Sequence, residues 1–577
     1  MNEEKSSYSY NNDFLLKNGK PWFPVMGELH YSRYPKKLWP EALAKMKAGG
    51  VTVVSSYIFW IHHEEKEGEY DFTGNRDLRG FLHAVQAAGL PVFLRIGPWC
   101  HGEVRNGGLP DWIMEKDYEP RTNDKGYLEE VKTYFAVLAE QIRGLLWENG
   151  GPVIGIQIEN EYGCCGGLDG EEGEAHMRVL TKLALDAGLK APYMTATGWG
   201  GAHTAGLLPV MGGYCDAPWD RSLEKLPPNG NYVFTPERDD SNIGSDFGKK
   251  ETARTADGNY PYLTAELGGG LQPTRHRRPV PSASDTGAMS LVKLGCGANL
   301  LGYYMYHGGT NPKGKYSSLQ ETKAAGSWND LPEYNYDFNA PVGEYGQVRE
   351  SFREIKLLAL FLQDFGEELC AMKPRFPEPL MDNPEDLQTL RTCVREKDGR
   401  GYLFVNNHQR LYPMKNHAQV SLKVKAGEEE LCFPAENVRD GDYFFYPFHM
   451  PVGDHAEIVT AMASPLCVLR RRKGNIYVFY SDADPQYRIK GDLGDNRIVT
   501  LTRREALDAW KTELQGEDYL LFTSGVIREQ EGKVLFSRTF TEQEETAAFY
   551  AFPELPLVPE GFQKAVSYTH LTLPTKA

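Results

Sequence analysis

The segment GPVIGIQIENEYG, residues 151–163, carries an apolar run straight into two carboxylic acids. A short run of this kind, rich in isoleucine and bounded by glycine, predicts a buried strand. Glu159 and Glu161 follow at the point where the strand should end. If side chains alternate along the strand, Gln157, Glu159 and Glu161 share one face. Glu161 would then lie at the rim, and Glu159 would lie deeper as a structural partner.

The same pattern recurs along the first two thirds of the chain. Apolar strand-like runs alternate with amphipathic helical stretches, which is typical of a parallel sheet covered on both faces. The strand candidates are residues 24–31, 51–60, 90–97, 152–160, 193–199, 209–216, 262–267 and 300–308. Helical patterns occupy residues 38–50, 76–89, 128–147 and 171–188. This count of strands predicts a (β/α)₈ TIM barrel, and no phosphate-binding glycine loop follows any of them.

Composition divides the chain into further regions. The predicted organisation is an N-terminal tail (1–12), a catalytic barrel (13–366), a linker rich in proline and acidic residues (367–390) and a β-rich region (391–565). Beyond the linker the apolar period changes to two, so one or two smaller all-β domains are expected there, with a helix at 504–513. The last segment, 566–577, differs from everything before it and is interpreted as an assembly artefact.

Charge and cysteine content exclude several classes of protein. The formal net charge of −16 disfavours nucleic-acid and anionic-membrane partners. No apolar run is long enough for a membrane span, and the N-terminal residues lack the apolar core of a signal peptide. Nine cysteines without metal-type spacing predict reduced thiols, and Cys164 and Cys165 are expected to be packing residues. A cytoplasmic location is therefore expected, and the oligomeric state stays open.

A second apolar strand also ends in an acid. The segment YLTAELGGG, residues 262–270, places Glu266 before three glycines, which would let the chain turn sharply and let a ligand approach. Active sites of (β/α)₈ barrels lie at the carboxyl ends of their strands. One of Glu161 and Glu266 would then be the nucleophile and the other the proton donor in glycoside hydrolysis. This reaction needs no metal or other cofactor. The spacing alone leaves open that both are loop acids or satisfied core charges.

Six blocks of sequence, in order, extend this interpretation. They are FLLKNGKPWFPVMGELHYSRYP (14–35), YIFWIHHEEKEGEYDFTG (57–74), GLPVFLRIGPWCHGEVRNGGLPDW (89–112), GGPVIGIQIENEYG (150–163), YMYHGGTN (304–311) and YNYDFNAPVGEYG (334–346). Together they resemble glycoside hydrolase family 35, the retaining β-galactosidases. The resemblance implies that Glu161 is the acid/base at the end of strand four and Glu266 the nucleophile at the end of strand seven. It also implies that Asn160 binds the sugar 2-hydroxyl.

The resemblance implies four further substrate-binding residues. Tyr57 matches a tyrosine that contacts the galactose hydroxyls, and Tyr304 matches one that could orient the nucleophile. Glu103 matches a sugar-binding glutamate that the family writes in a Cys-Ala-Glu context, although His101 and a glycine stand before it here. Tyr336 falls in the family's Tyr-Asp-Tyr-Asp-Ala-Pro region, and a packing role for it stays equally open.

The function implied by the resemblance is that of a retaining, exo-acting β-galactosidase. Such an enzyme removes terminal non-reducing β-D-galactose from oligosaccharides or glycoconjugates by double displacement. An exo-β-glucosaminidase on the same scaffold is the alternative within the enzyme class. A non-catalytic carbohydrate-binding barrel is the alternative outside it, but Glu161, Glu266 and Asn160 are all present, which argues against a dead site.

Overall fold

The computed structural model describes residues 6–196, 205–238, 240, 260–530, 533–537 and 549–557. The segment interpreted as an assembly artefact, residues 566–577, lies outside this part of the chain. So do the last residues of the strand candidate at 193–199. The domain boundaries predicted from composition stay predictions.

Eight parallel strands close into a barrel. A small antiparallel sheet precedes them, made of β1 (Tyr8–Tyr10), β2 (Leu15–Lys17) and β3 (Lys20–Trp22). The barrel strands are β4 (Val25–Leu29), β5 (Val53–Tyr57), β6 (Val92–Arg95), β7 (Val153–Gln157), β8 (Tyr193–Ala196), β9 (Leu208–Gly213), β10 (Thr264–Gly268) and β11 (Leu301–His307). They pair in chain order, and β11 returns to β4. Each strand candidate coincides with one of them, so the predicted (β/α)₈ barrel is confirmed.

The described residues contain eight α-helices in the barrel region, four of them at positions that the sequence predicted, and one helix, α9, in the β region. They are α1 (Trp39–Ala48), α2 (Trp60–His63), α3 (Leu78–Ala87), α4 (Asp111–Met114), α5 (Lys125–Ile142), α6 (Gly170–Ala187), α7 (Ala283–Gly295), α8 (Glu350–Cys370) and α9 (Arg503–Asp508). The four helical patterns correspond to α1, α3, α5 and α6. Side-chain caps begin several of these helices; Asp77, for example, accepts a hydrogen bond from the amide of Gly80 at the start of α3. Among the described residues, no helix is both long and apolar enough to span a bilayer.

The region after the barrel is almost entirely β structure, as predicted. Before this region, two short strands still within the barrel part of the chain, β12 (Gly309–Thr310) and β13 (Asn335–Tyr336), pair in the loops at the barrel mouth. The later strands are β14 (Lys373–Arg375), β15 (Arg391–Lys397), β16 (Arg400–Asn406), β17 (His417–Val420), β18 (Lys423–Ala426), β19 (Glu429–Cys432), β20 (Glu436–Val438), β21 (Tyr443–Val452), β22 (Ala456–Ala461), β23 (Ser464–Leu469), β24 (Ile476–Tyr480), β25 (Tyr487–Gly491), β26 (Arg497–Leu501), β27 (Ala509–Leu514), β28 (Glu517–Phe522), β29 (Val526–Gln530), β30 (Lys533–Ser537) and β31 (Tyr550–Phe552). The largest sheet has the order β14-β15-β16-β21-β22-β25.

One predicted helix is shorter than its sequence pattern. The pattern predicted a helix at 504–513, but α9 ends at Asp508 and β27 begins at Ala509. A capping box between Thr502 and Glu505 starts the helix, which agrees with the pattern. The prediction is wrong for the second half because these residues pair antiparallel with β28. Tertiary pairing overrides the local preference there.

Helix α8 is buried on nearly every side and forms a wall shared by the barrel and the β region. Toward the barrel, Phe352 packs against Tyr306 of β11. On another face, Leu357 and Leu360 belong to an apolar cluster with Leu466 and other residues of β23, β24 and β28. Because one helix supplies apolar surface to both parts, the two regions share a continuous interior.

Arg395 of β15 ties the β region to the barrel helices. Its side chain is fully buried. The guanidinium donates to the carbonyl oxygens of Met372, Leu294, Ala298 and Leu369 and to Oδ1 of Asn299, at 2.8–3.1 Å. These acceptors lie at or just beyond the ends of α7 and α8, where helix carbonyls lack intrahelical partners. Arg395 therefore supplies hydrogen-bond donors to the C-terminal ends of two helices at once.

Replacing Arg395 with alanine should destabilise the protein strongly. The change leaves several buried carbonyl oxygens without a donor, and each costs about 1–3 kcal/mol. We expect Arg395→Ala to lower the free energy of unfolding by at least about 3 kcal/mol, measured by denaturant titration. Arg400→Ala, an exposed arginine on the neighbouring strand, is the control and should leave the midpoint unchanged. Equal midpoints for the two variants would contradict the assignment.

Candidate active site

A cavity opens at the carboxyl ends of the barrel strands. Residues from the ends of different strands and from the loops that follow them line it, and they include six of the seven predicted site residues: Tyr57, Glu103, Asn160, Glu161, Glu266 and Tyr304. The seventh, Tyr336, is hydrogen-bonded to two of these residues. The fold thus brings together the side chains that the sequence predicts to act together.

The backbone at the end of β7 departs from the predicted alternation. The strand ends at Gln157, and Glu159 and Glu161 have φ values of 56° and 49°. Residues other than glycine seldom adopt this left-handed region, and such strain is concentrated at functional sites. Backbone hydrogen bonds fix both residues, from Glu159 to Gly97 at 2.9 Å and from Glu161 to Ala196 at 3.2 Å. The prediction that Glu159 and Glu161 share one face is wrong, because the chain has left the strand.

Glu159 faces away from the cavity into a buried ion pair. Its two carboxylate oxygens accept hydrogen bonds from Nε and Nη2 of Arg121 at 3.1 and 2.8 Å. The Arg121 guanidinium lies 4.0 Å from the centre of the Trp99 ring. Burial raises the pKa of Glu159, although Arg121 opposes the shift. Glu159 is therefore part of the scaffold that holds the loop after β7.

Glu161 faces the cavity and contacts three polar side chains. Oε1 accepts a hydrogen bond from Nδ2 of Asn160 at 3.1 Å, and Oε2 lies 2.6 Å from the thiol sulfur of Cys165. Nδ1 of His101 lies 3.8 Å from Oε1. Burial alone would raise the pKa of Glu161, but the charge of His101 and the hydrogen bonds from Cys165 and Asn160 outweigh it and hold the pKa below its usual value.

Glu266 lies on β10 with Arg95 beside it. Its Oε1 accepts hydrogen bonds from Nη2 of Arg95 and from the Tyr57 hydroxyl, the latter at 3.4 Å. Burial raises the pKa of Glu266 to about 7, and the charge of Glu161 adds to the shift while Arg95 opposes it. The two cavity carboxylates therefore interact, and their protonation is a property of the pair.

Two glycines after Glu266 allow backbones to approach closely. A Cβ on Gly269 would lie 2.3 Å from the carbonyl oxygen of Met305, and one on Gly270 would lie 2.2 Å from that of Phe338. Only glycine fits at such separations. The sequence attributed these glycines to a sharp turn and a nearby ligand, whereas the structure uses them for the close packing of neighbouring chain segments.

Arg95 organises the floor of the cavity from the end of β6. Its guanidinium also donates to Gln157 at 3.0 Å, to Glu28 at 3.3 Å and to Oδ1 of Asn160 at 3.1 Å. The guanidinium carbon lies 3.8 Å from the centre of the Tyr57 ring, a cation–π contact. A single buried cation thus positions side chains from four other strands.

Glu103 forms a second polar cluster on the opposite wall. It accepts hydrogen bonds from Gln272 at 3.1 Å, from the Tyr304 hydroxyl at 3.4 Å and from the Tyr336 hydroxyl. The two tyrosine hydroxyls are 2.7 Å apart. Tyr304 is hydrogen-bonded to Glu103 and Tyr336. The sequence suggested that Tyr304 could orient Glu266, but the tyrosine hydrogen-bonded to Glu266 is Tyr57.

Comparison with known proteins identifies the chain. Residues 14–361 match the sequence model of the glycosyl hydrolases family 35. The chain belongs to this family. The resemblance carried by the six sequence blocks is thereby confirmed, and with it the assignment to the glycoside hydrolases.

Animal proteins match this family 35 member over much of its barrel. A β-galactosidase of Mus musculus is 41% identical over 155 residues, covering 27% of this chain and 24% of the mouse protein. The β-galactosidase-1-like protein of Mus musculus is 32% identical over 349 residues, or 58% and 47% of the two chains. The Homo sapiens β-galactosidase is 31% identical over 350 residues, or 59% and 46%. The match spans less than half the length of each relative.

Three residues of this glycosyl hydrolase site escaped the sequence analysis. Arg95 is the charged residue near the end of the apolar run LPVFLRIG and the last residue of β6, so the logic that selected Glu161 and Glu266 would also have selected it. His101 was noted only as a departure from the family's pattern. Cys165 was expected to pack in a loop, yet it lines the cavity beside Glu161. No periodicity places a loop cysteine, so only the structure could find it.

Removing Arg121 should show that Glu159 is a buried partner and not a reacting group. Arg121→Ala leaves the Glu159 carboxyl buried without its counterion, which typically costs about 3–5 kcal/mol. We expect a loss of that size in the free energy of unfolding. The double variant Arg121→Met/Glu159→Gln removes both charges and should recover most of it. A double variant no more stable than the single one would contradict this assignment, and Arg143→Ala, in an exposed ion pair, is the control.

Proposed function

We propose that this family 35 member is a retaining, exo-acting β-galactosidase. The observation that carries the proposal is that Glu161, from the loop after β7, and Glu266, from β10, line one cavity together with Asn160 and Tyr57. Two carboxyl groups facing one sugar are what double displacement at an anomeric carbon requires. The names of the relatives support galactose as the sugar removed.

In the proposed mechanism Glu266 attacks the anomeric carbon while Glu161 donates a proton to the leaving oxygen. The glycosyl–enzyme bond forms as the glycosidic bond breaks, and the aglycone departs with the proton of Glu161. Glu161 then removes a proton from water, which attacks the same carbon and releases the sugar and the Glu266 carboxylate. Asn160 faces the sugar 2-hydroxyl, where hydrogen bonds strengthen in the oxocarbenium-like transition state.

The pair of acids must hold one proton for this reaction. The opposite pKa shifts of Glu161 and Glu266 favour a singly protonated pair near neutral pH. Burial and the charge of Glu161 raise the pKa of Glu266, whereas the reaction needs the proton on Glu161. We expect a bound sugar to exclude water and shift the proton to Glu161. Arg95, already hydrogen-bonded to Glu266, stabilises the charge that remains there.

The shape of the cavity supports exo action. Tyr57 and Tyr304 line it from two barrel strands, and Tyr214 and Trp219 line it from the segment after β9, with their rings 5.5 Å apart. Aromatic walls of this kind fit the apolar face of a single sugar ring. One terminal residue would enter, and the remainder of the glycan would extend outward through the mouth.

The environment of Asn160 favours a hydroxyl over an amine at C2 of the sugar. Its Oδ1 is held by Arg95 at 3.1 Å and Gln157 at 3.0 Å, so a guanidinium lies close to this position. Because Oδ1 already accepts two hydrogen bonds, Asn160 offers no free acceptor to the N–H donors of a protonated glucosamine amine, whereas Nδ2 can still donate to a hydroxyl. The glucosaminidase alternative is therefore disfavoured. The presence of both carboxylates likewise disfavours a binding-only barrel.

We also propose that the protein works in a reducing compartment such as the cytoplasm. None of its nine cysteines forms a disulfide, and eight of them are buried. Disulfides are rare where thiols are kept reduced, so this arrangement supports the location expected from the sequence.

Hydrolysis of an aryl β-D-galactoside, run beside the aryl β-D-glucosaminide, tests the proposal. Glu266→Gln should lower kcat/KM for the galactoside by at least about 10³-fold, because the nucleophile is lost. Glu115→Gln, at an exposed position outside the cavity, is the matched control and should retain wild-type activity. Cleavage of only the glucosaminide would overturn the sugar assignment. Full activity in Glu266→Gln would overturn the assigned nucleophile.

Glu161→Gln should show the behaviour of a lost acid/base. We expect a loss of about 10²–10⁴-fold with a poor leaving group and a much smaller loss of the first step with an activated aryl leaving group. Added azide needs no general base, so it should restore turnover and give the β-galactosyl azide. An α-configured azide product, or equal losses with both leaving groups, would contradict the assigned role.

Arg95→Met should move the acid limb of the pH–rate profile. The limb reports ionisation of the nucleophile, and Arg95 opposes the upward shift in the pKa of Glu266. Without the guanidinium, that pKa should rise, so the acid limb of kcat/KM should move to higher pH. Arg105→Met, which removes an ion pair with Asp111 outside the cavity floor, is the control. A shift to lower pH would contradict the role of Arg95.

A further inference from the structure

Three different metal-ligating groups meet at one wall of the cavity. They are the imidazole of His101, the carboxylate of Glu161 and the thiol of Cys165. One ligand atom from each residue lies within 4.8 Å of one ligand atom from each of the others. The closest pair is the Cys165 sulfur and Oε2 of Glu161, at 2.6 Å.

The local backbone presents these groups together. The amides of Cys164 and Cys165 both donate to the carbonyl oxygen of Glu161, at 3.0 and 2.8 Å. This tight turn brings the Cys165 side chain back to the Glu161 carboxylate, four residues earlier. His101 comes from the loop after β6, in a left-handed conformation with φ of 62°. Its ring packs against Trp99 with centroids 5.2 Å apart, which leaves the imidazole at the cavity edge.

We propose that His101, Glu161 and Cys165 form a binding site for a thiophilic divalent cation of the Zn²⁺ class. Imidazole nitrogen, carboxylate oxygen and thiolate sulfur are the ligands that Zn²⁺ takes in proteins. Tetrahedral coordination at bond lengths of about 2.0–2.3 Å needs ligand atoms roughly 3.3–3.8 Å apart. Small side-chain rotations would bring the three atoms to that spacing. On binding, the Cys165 thiol and the protonated His101 imidazole each lose a proton to solvent.

The charge of the cavity favours a cation at this position. Glu103 and Glu321 line the same cavity as the three ligands. The buried guanidiniums nearby are already paired, Arg95 with Glu266 and Glu28 and Arg121 with Glu159. A cation at the His101 wall therefore meets carboxylates. Three protein ligands also leave a fourth position for water, as in open zinc sites.

Occupation of this site would switch off hydrolysis. A Glu161 carboxylate bound to a metal ion holds no proton for the leaving oxygen and cannot act as a base toward water. The cation would also obstruct the position of the leaving group. This consequence rests on the proposed function, whereas binding of the metal does not.

Cobalt(II) provides a direct test of binding, because a thiolate ligand gives a charge-transfer absorption in the near ultraviolet. We expect this band on titration of the full chain, saturating at one equivalent. Cys165→Ser should abolish the band, and His101→Ala should weaken Co²⁺ binding by about tenfold or more. Cys432→Ser, at the one exposed cysteine of the chain, should leave it unchanged. Absence of the band in the wild type, or its persistence in Cys165→Ser, would overturn the proposal.

Inhibition supplies the second readout. Added Zn²⁺ should inhibit hydrolysis of the aryl β-D-galactoside by the wild type, and a chelator should restore activity. The residual activity of His101→Ala should need about tenfold more Zn²⁺ for the same fractional inhibition. If Cys165→Ser does not fold, judged by circular dichroism, His101→Ala and His101→Asn carry the test. Cobalt binding without galactoside hydrolysis would support the metal site and reject the proposed function. Hydrolysis without cobalt binding would support the proposed function and reject the metal site.

Discussion

The guanidinium of Arg95 lies at the floor of the barrel mouth, where side chains from several strands converge on it. Fully buried, it bonds Glu28, Gln157, Asn160 and Glu266 and stacks on a tyrosine ring. A buried cation is stable only when its neighbours compensate for lost hydration. The partners therefore have little freedom to rearrange. The geometry of both cavity carboxylates depends on this one charge, directly for Glu266 and through Asn160 for Glu161.

The two acids of the Glu-Asn-Glu segment are distinguished by their partners and not by their spacing. The Glu159 side chain is buried away from the cavity and pairs with the Arg121 guanidinium. The Glu161 side chain lies in the cavity beside the His101 imidazole and the Cys165 thiol. Both results depend on left-handed backbone at Glu159 and Glu161. A continuous strand would have put both side chains on one face. The strain in the loop after β7 is thus what separates a structural acid from one that lines the cavity.

Much of the barrel could be predicted because its signals are local. Near-continuous apolar strands and amphipathic helices follow from burial on both faces of the sheet, and every strand candidate coincides with a barrel strand. Site residues at strand ends, such as Glu266 and Tyr57, share that signal. His101 and Cys165 do not, because loop conformation and not periodicity brings them to the cavity. The helix predicted at 504–513 failed for a similar reason, since pairing with a distant strand decided the state of its second half.

Helix α8 has a consequence for how this architecture could have arisen. A helix that faces solvent on one side can gain or lose a neighbouring module without cost to the fold. Here Phe352 contacts the barrel while Leu357 and Leu360 contact the β region, so neither side is suited to water. The β region is therefore not independent of the barrel, because both pack on the same helix. Exchange of the β region for an unrelated one would expose Leu357 and Leu360 and would leave the buried Arg353 of α8 without its partner Asp508.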